Sequence, residues 1–389
     1  MERFMLTTAI DINMLNEFEN KVLFVSEHIK KFDVVIEENK IIAVDISYDK
    51  KKLSKIMLKQ LLNVMIEKEF YGRVMIEEKV LWENKTDKLF FDNIYEELVE
   101  KEEVVQMSEG IVAIGELLYK ICVFFDREIV KIAQQCFDVK LMYYPSLINY
   151  DTLDKVGYVR SLPQFLMFVS SLHGDANDYY RYKEYGFDYD NDYDKVKGLK
   201  LCLPPSVCYH TYQQYRNQCL NKQNIVVSAI GKTFRNEGKY AKKLERLWDF
   251  TMREVVFLGD RKFVEQNNIE KFMTKIIELL ERIGMVGRIV SASDLFYKGE
   301  EQIDMRILRK IKKSKYEIRL KINSSDEISV GSFNLHGKFF GEKFGIKYDE
   351  ENFAYTSCTG YGLERFAYAF VCQYGLDKNK WPLYVKERI

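Results

Sequence analysis

Neither sign of charge is in excess. Lys+Arg and Asp+Glu number 59 each, so no global basic field argues for nucleic acid, although a local patch stays open. The seven cysteines, at 122, 136, 202, 208, 219, 358 and 372, form no CxxC pair and no even framework. That pattern favours a reducing compartment with free thiols or metal ligands. No uninterrupted apolar run suits a membrane. The most apolar stretch, Ile111 to Ile132, carries Glu116, Lys120, Asp126 and Arg127 and reads as a buried amphipathic helix. The opening residues, MERFMLTTAI, lack the basic-then-apolar layout of a secretory signal, and a soluble cytoplasmic protein is expected. GxGxxG and GxxxxGK[ST] are both missing, which sets aside the dinucleotide and phosphate-loop folds. No long heptad pattern is visible, so a coiled-coil arm is not expected. Five prolines against 26 tyrosines mark a bias that genome composition explains as well as physics does.

What is present is length and pattern. The 389 residues allow two domains and a large core. Residues 1–105 read as a small α+β unit. Lys21–Val25, Asp33–Ile36 and Ile41–Ile46 are short β-type runs, with Glu37–Lys40 as a hairpin turn between the last two. Leu53, Ile56, Met57, Leu61, Val64 and Met65 mark one helix face. Further strands are expected around Arg73–Ile76 and Lys88–Phe91, and the charge-dense Glu96–Glu103 reads as a linker. This unit carries no chemical motif, and a scaffold or docking role is the plain reading.

Residues 106–389 differ in character. Ile111, Ile114, Leu118, Cys122, Phe125, Ile129 and Ile132 describe a long helix. Lys140–Tyr158 is an apolar strand running through Pro145 into a short helix. Asp175–Lys197, dense in Asp and Tyr, has no periodicity and reads as a solvated loop or a lid. Leu199–Cys208 is a strand ending on a diproline and Cys208; Ile225–Ile230 is another. Phe234 and Arg235 end a strand, a charged loop follows, and Trp248–Leu258 starts the next. Two antiparallel strands joined by a long cationic loop suit a nucleotide lying across them. Arg235 would hold an α-phosphate, and Phe250 offers a face to a purine. An amphipathic helix spans Val264–Ile283, and strands span Tyr316–Ile322 and Glu327–Asn334, with His336 and Phe340 just after.

The stretch Tyr355–Phe370, YTSCTGYGLERFAYAF, organises the rest. It reads as a strand entering a helix through Gly360 and Gly362, where the lack of a Cβ lets a backbone or ligand come close. Arg365 lies one turn into that helix, where its guanidinium would meet a phosphate or else pair with a carboxylate. The fold class is α+β, a mostly antiparallel sheet flanked by helices.

Three stretches together resemble the class II aminoacyl-tRNA synthetases. Pro145 with its helix resembles motif 1, the dimer-forming element. Phe234-Arg-Asn-Glu237 followed by Phe250 resembles motif 2, and Gly360-Tyr-Gly-Leu-Glu-Arg365 resembles motif 3. Residues 110–389 are more closely similar to the amino acid:[carrier protein] ligases, whose catalytic core is seryl-tRNA-synthetase-like. The similarity rests on TSCTGYGLERFAYAF with Gly375-Leu-Asp, Trp381-Pro382 and the closing Val-Lys-Glu-Arg-Ile. Ser332-Phe-Asn-Leu-His336, Pro204–Tyr209 and Met252-Arg-Glu254 add to it.

The resemblance implies a zinc ion held by Cys208, Glu254 and Cys358, with an open position for a substrate amine. It implies amino-acid activation. ATP is then bound by Arg235 at the α-phosphate and Arg365 at the γ-phosphate, with Phe250 and Glu237 on the adenine. Magnesium goes to Glu317 or Glu327, with Ser332. A small amino acid, glycine or alanine, is implied, and serine next. The acceptor is the phosphopantetheine thiol of a carrier protein. The alternatives are a seryl-type synthetase charging tRNA, with residues 1–105 on the tRNA, and a non-catalytic paralogue that binds or regulates. A homodimer is implied throughout.

Overall fold

The computed structural model describes residues 1–71, 78–86, 90–91, 93–237, 243–291 and 315–389, and it divides into two compact units, Met1–Glu77 and Glu78–Ile389. The first unit is a three-stranded antiparallel sheet, β1 (Glu2–Asp11), β2 (Ile29–Glu37) and β3 (Lys40–Tyr48), in the order β1-β3-β2. The hairpin between β2 and β3 closes through Glu38 and Asn39, both with positive φ (48° and 60°), the backbone that matches strand twist. The residues expected as a first strand, Lys21–Val25, instead close the helix Leu15–Val22. Phe18 and Val22, one helical turn apart, are its buried face. The helix Lys55–Glu69 forms where expected but buries Leu58, Leu62 and Ile66. Ile56, Met57 and Val64, expected on the packed face, are exposed. Two interleaved stripes of apolar residues made that face ambiguous, and a strict four-residue spacing decided it. The strand expected at Arg73–Ile76 lies outside the described residues, as do Lys88 and Leu89 of Lys88–Phe91, whose Phe90 and Phe91 are not in a strand.

The boundary falls earlier than residue 105. β4 (Val80–Asn84) already forms one edge of the large sheet of the second unit. Glu96–Glu103 is no linker: Ile94–Glu100 is a helix whose Ile94 and Leu98 enter the large core. Its acids lie on the solvent side, with Glu96 and Glu97 in the first turn, where the helix dipole favours them. The expected long helix from Ile111 is also divided. Ile111–Ile114 (β6) pairs with Val104–Ser108 (β5), and the helix proper is Glu116–Cys136. Gly115 makes the corner, since a Cβ there would lie 2.8 Å from the Glu103 backbone. Between Asp175 and Lys197 the chain is not simply a loop: Asp175 and Asp178 form a capping box for the helix Ala176–Tyr185.

The remaining strands are β7 (Val139–Tyr143), β8 (Ile148–Asn149), β9 (Phe168–Leu172), β10 (Val196–Cys202), β11 (Ile225–Phe234), β12 (Asp249–Gly259), β13 (Gly287–Ser291), β14 (Lys315–Lys321), β15 (Glu327–Gly337) and β16 (Tyr355–Gly362). Eight strands make one sheet in the order β4-β13-β14-β15-β16-β12-β11-β7, antiparallel except for the β11–β7 pair. A smaller sheet, β8-β10-β9, stands apart. One face of the large sheet is covered by the helices Glu116–Cys136, Met273–Ile283 and Leu363–Tyr374, through Phe125, Phe257, Phe272, Phe333, Phe366 and Phe370. Each such side chain contributes roughly 1.5–3 kcal/mol when fully buried. Arg253 of β12 reaches into this layer and pairs with Asp126 at 2.6 and 3.0 Å. On the opposite face the helices Cys208–Gln214 and Phe339–Phe344 form a second core with Val227, Val256 and Leu258 through Tyr209, Tyr212, Phe340 and Phe344, and the rest of that face carries the candidate site. Among the described residues no helix is long and apolar enough to cross a membrane.

Candidate active site and metal-ligating cluster

Alternation along β12 turns Phe250, Met252 and Glu254 to the open face of the sheet. On β16 the same alternation presents Cys358 and Gly360, and Gly360 lies opposite Glu254 in register. A Cβ on Gly360 would sit 2.7 Å from Met252 Cε and 3.5 Å from Glu254 Cγ. The glycine therefore makes room for the Met252 side chain, while the Glu254 arm would be in ordinary contact. Pro204 and Pro205 stop the chain after β10, and Cys208 opens the helix Cys208–Gln214 rather than ending a strand. These three elements converge. One ligand atom each of Cys208, Glu254 and Cys358 lies within 4.8 Å of the others, and all three residues are buried.

The carboxylate of Glu254 is fixed by three donors. Ser206 Oγ donates at 2.5 Å and the Val207 N–H at 2.9 Å to Oε1, while the Cys208 N–H donates at 2.9 Å to Oε2. Around Cys358 Sγ stand Asn334 Nδ2 at 3.7 Å and His336 Nε2 at 3.6 Å. Burial, and then the neighbouring Cys358, push the Glu254 carboxyl up to about 7. Two thiols and a carboxyl in one dry space cannot all ionise without a cation among them. Two sulfurs and one oxygen, each steadied by outer hydrogen bonds, are the donor set a zinc ion takes when one position is kept open. The residues present fit that metal.

The second cluster lies farther along the same face. Phe250 is four residues from Glu254, roughly 13 Å along the strand. Arg235 lies over its ring, 5.3 Å from the centroid, and donates to the Pro205 carbonyl from Nε and Nη2 at 3.3 Å. Glu237 is buried and pairs with Arg246 at 3.5 Å. Arg365 donates from Nε to the Glu245 carbonyl at 2.7 Å and from Nη1 to the Ser329 carbonyl at 2.9 Å. Burial, and then the charge of Arg235, pull its guanidinium down to about 10. Cations crowded together and drawn out of water make a place where a polyanion is stabilised.

Glu317 and Ser332 are directly opposed on β14 and β15. Glu317 is held by Lys315 at 3.0 Å and Arg319 at 3.2 Å. Glu327 is gripped by Arg288, at 2.6 Å to one oxygen and 3.0 Å to the other, and lies 3.6 Å from Arg319. Of the ten residues expected at the site, three converge on the metal-ligating cluster, and Arg235, Glu237, Phe250 and Arg365 gather in the cationic one. The two magnesium candidates sit in an ion-pair network with Ser332 alongside. Sequence reasoning missed Ser206, Arg246 and the role of Asn334. Ser206 lies two residues before Cys208, and Asn334 lies in the Ser-Phe-Asn-Leu-His run, which were the only signals.

Comparison with known proteins agrees with this geometry. Residues 185–374 match the model of the tRNA synthetase class II core domain (G, H, P, S and T). The chain therefore contains a class II tRNA synthetase core, in a fold of helices on a largely antiparallel sheet. Within that class it is similar to the type-2 serine–tRNA ligase of Methanococcus aeolicus, 31% identical over 258 residues, 63% of this chain and 49% of that one. It is also similar to amino acid–[acyl-carrier-protein] ligase 1 of Bradyrhizobium diazoefficiens, 28% identical over 247 residues, 63% of this chain and 74% of that one. The chain thus spans about half the length of the first relative and three quarters of the second. Among solved structures, the Methanopyrus kandleri seryl-tRNA synthetase in complex with A. aeolicus tRNASec superposes with a TM-score of 0.73 at 22% identity, covering 92% of this chain and 73% of that one.

Proposed function

We propose that the protein is an adenylate-forming ligase. It activates a small amino acid, glycine or alanine, and passes it to the phosphopantetheine thiol of a carrier protein. The observation that carries this reading is the convergence of Cys208, Glu254 and Cys358 on the same sheet face as the Arg235–Phe250 pair. In the first step a carboxylate oxygen of the amino acid attacks the α-phosphorus of ATP. The bond to the β-phosphate oxygen breaks, giving aminoacyl-AMP and pyrophosphate. The chain's part is to hold the reactants in line and to neutralise charge as it builds. Arg235 binds the α-phosphate and Arg365 the γ-phosphate; Phe250 stacks on adenine, and Glu237 accepts from its exocyclic amine. In the second step the acceptor thiol attacks the carbonyl carbon, a thioester forms, and AMP leaves.

Zinc held by Cys208, Glu254 and Cys358 would supply an open position for a free α-amine, which selects an amino acid over a hydroxy acid. For magnesium, oxygen donors are required. Glu317, opposite Ser332, and Glu327 are the two candidates, and cations pair with both oxygens of each. The protein is further proposed to be cytoplasmic and a homodimer.

A tRNA acceptor is the second reading, favoured by the serine–tRNA ligases among the relatives. Amino-acid-dependent exchange of labelled pyrophosphate into ATP, run across all twenty amino acids with and without a zinc chelator, tests the first step. Exchange with glycine or alanine that the chelator abolishes is the expected result. No exchange with any amino acid overturns the proposal. Transfer to a pantetheinylated protein against transfer to tRNA separates the two acceptors.

A further inference from the structure

The helix expected at Val264–Ile283 is not regular. Between Arg261–Glu265 and Met273–Ile283, residues Gln266–Phe272 form a π-helical turn. Such wide turns are rare and are frequently found at functional sites. The consequence here is a single polar side chain aimed into the core. Val264, Asn268 and Phe272 all face the sheet and are completely or almost completely buried. Asn268 is the one among them that carries an amide.

That amide reaches one place. Asn268 Nδ2 donates to the Asn334 carbonyl at 3.3 Å and to the Cys358 carbonyl at 3.3 Å. Asn334 and Cys358 are directly opposed on β15 and β16. An oxygen in that position would face two carbonyl oxygens, so the amide orientation is fixed by its surroundings. On the other side of the sheet the same two residues meet again: Asn334 Nδ2 donates to Ser332 Oγ at 3.0 Å and points at Cys358 Sγ at 3.7 Å. The Cys358 pair is thus held from both faces, by an amide beneath and by an amide above. Burying an amide among Val264, Phe272 and their neighbours is unfavourable unless its donors are used. An apolar residue would fill the core at lower cost.

We propose that Asn268 is a positioning residue for the Cys358 thiol, and that the π turn exists to aim it. The inference rests on the reading of Cys208, Glu254 and Cys358 as a metal site. Holding both carbonyls fixes the backbone from which the sulfur projects, and a ligand displaced by a fraction of an ångström loses much of its affinity.

The test compares wild type with Asn268→Leu, which keeps the shape, and Asn268→Asp, which keeps the shape and loses the donors. Zinc affinity is measured by chelator competition. The environment of the sulfurs is read from the absorption bands of the cobalt-substituted proteins. KM for the amino acid and for ATP is taken from pyrophosphate exchange. Both variants are expected to bind zinc roughly 10–100-fold more weakly, with shifted cobalt–thiolate bands. KM is expected to rise for the amino acid and to stay within about twofold for ATP. If Asn268→Leu does not fold, Asn268→Asp gives the same readouts. Unchanged zinc affinity and bands in a folded variant overturn the inference, and so does an equal rise in both KM values. A wild-type protein that binds neither zinc nor cobalt overturns the metal reading itself, which is a different outcome.

Discussion

At the scale of single residues, the arginines and carboxyls are not interchangeable with their nearest relatives. Arg365 spends Nε and Nη1 on two backbone carbonyls, Glu245 and Ser329, so the guanidinium is set before any ligand arrives. Lysine has one nitrogen and no fork and cannot satisfy both carbonyls while reaching a phosphate. Arg365→Lys is therefore expected to lower kcat/KM for pyrophosphate exchange by at least about 100-fold, or about 2.7 kcal/mol, at an unchanged far-UV spectrum. A loss under about threefold would remove Arg365 from the phosphate site. Glu364, its neighbour, carries a different role. It accepts from the Thr251 N–H at 2.9 and 2.8 Å and from Thr251 Oγ1 at 2.7 Å. Burial nevertheless raises it above its ordinary 4.5, against the partial relief of Lys232. The folded protein thus binds this proton more tightly than the unfolded chain. That contribution is present below the unfolded value and is lost as pH rises through the folded one. Glu364→Gln, which can keep an acceptor for the Thr251 N–H, is expected to flatten stability against pH above 4.5. Urea titrations at two pH values would show it, and an unchanged slope would count against it. None of this was legible one residue at a time. The separations among Cys208, Glu254 and Cys358 follow no ligand-spacing rule, and only the resemblance to a family assembled them.

Among elements, legibility followed the hydrophobic pattern and failed where charge or an unusual turn overrode it. The strands β11, β12, β14, β15 and β16 were readable because β-branched and aromatic residues fill them and one face is fully buried. The helix Ile94–Glu100 reads as a linker in the sequence because its two core residues are outnumbered by acids on its solvent side. The π turn left no trace beyond one asparagine in an apolar register. The start of Glu116–Cys136 shows a device that local sequence hides. Its N-cap, Gly115, has no side chain to offer. Glu103 supplies the carboxylate from a neighbouring segment, accepting from the Leu117 N–H at 3.1 and 2.9 Å and the Leu118 N–H at 3.1 Å. A carboxylate there satisfies orphan donors and meets the positive end of the dipole. Glu103→Ala is expected to cost about 1–2 kcal/mol, seen as a Tm lower by roughly 2–4 °C. Glu103→Gln should recover part of the loss. A Tm unchanged in the alanine variant would mean that solvent replaces the cap.

For the whole molecule, the question is what the second unit does with its open edge. β7 ends the large sheet beside β11, and its single lysine, Lys140, is engaged with Tyr215. Leu141 is 54% exposed, Tyr143 84% and Leu147, just beyond Pro145, 43%. An apolar edge strand left bare invites pairing with another chain. In the proposed homodimer, which rests on the resemblance of Pro145 and the helix that follows it to motif 1, that chain is a second copy of this one. A two-fold interface meets each such position twice, so one unfavourable charge on the edge is introduced in both partners at once. Tyr143→Glu would bring two carboxylates into the shared strip. It is expected to shift sedimentation at micromolar concentration from a dimer to a monomer, while Tyr143→Phe leaves it unchanged. Pyrophosphate exchange in the monomer then tells whether the proposed metal and phosphate clusters hold their geometry without the partner. A wild-type protein that sediments as a monomer at every concentration would remove the dimer from the reading and leave the edge strand for some other chain.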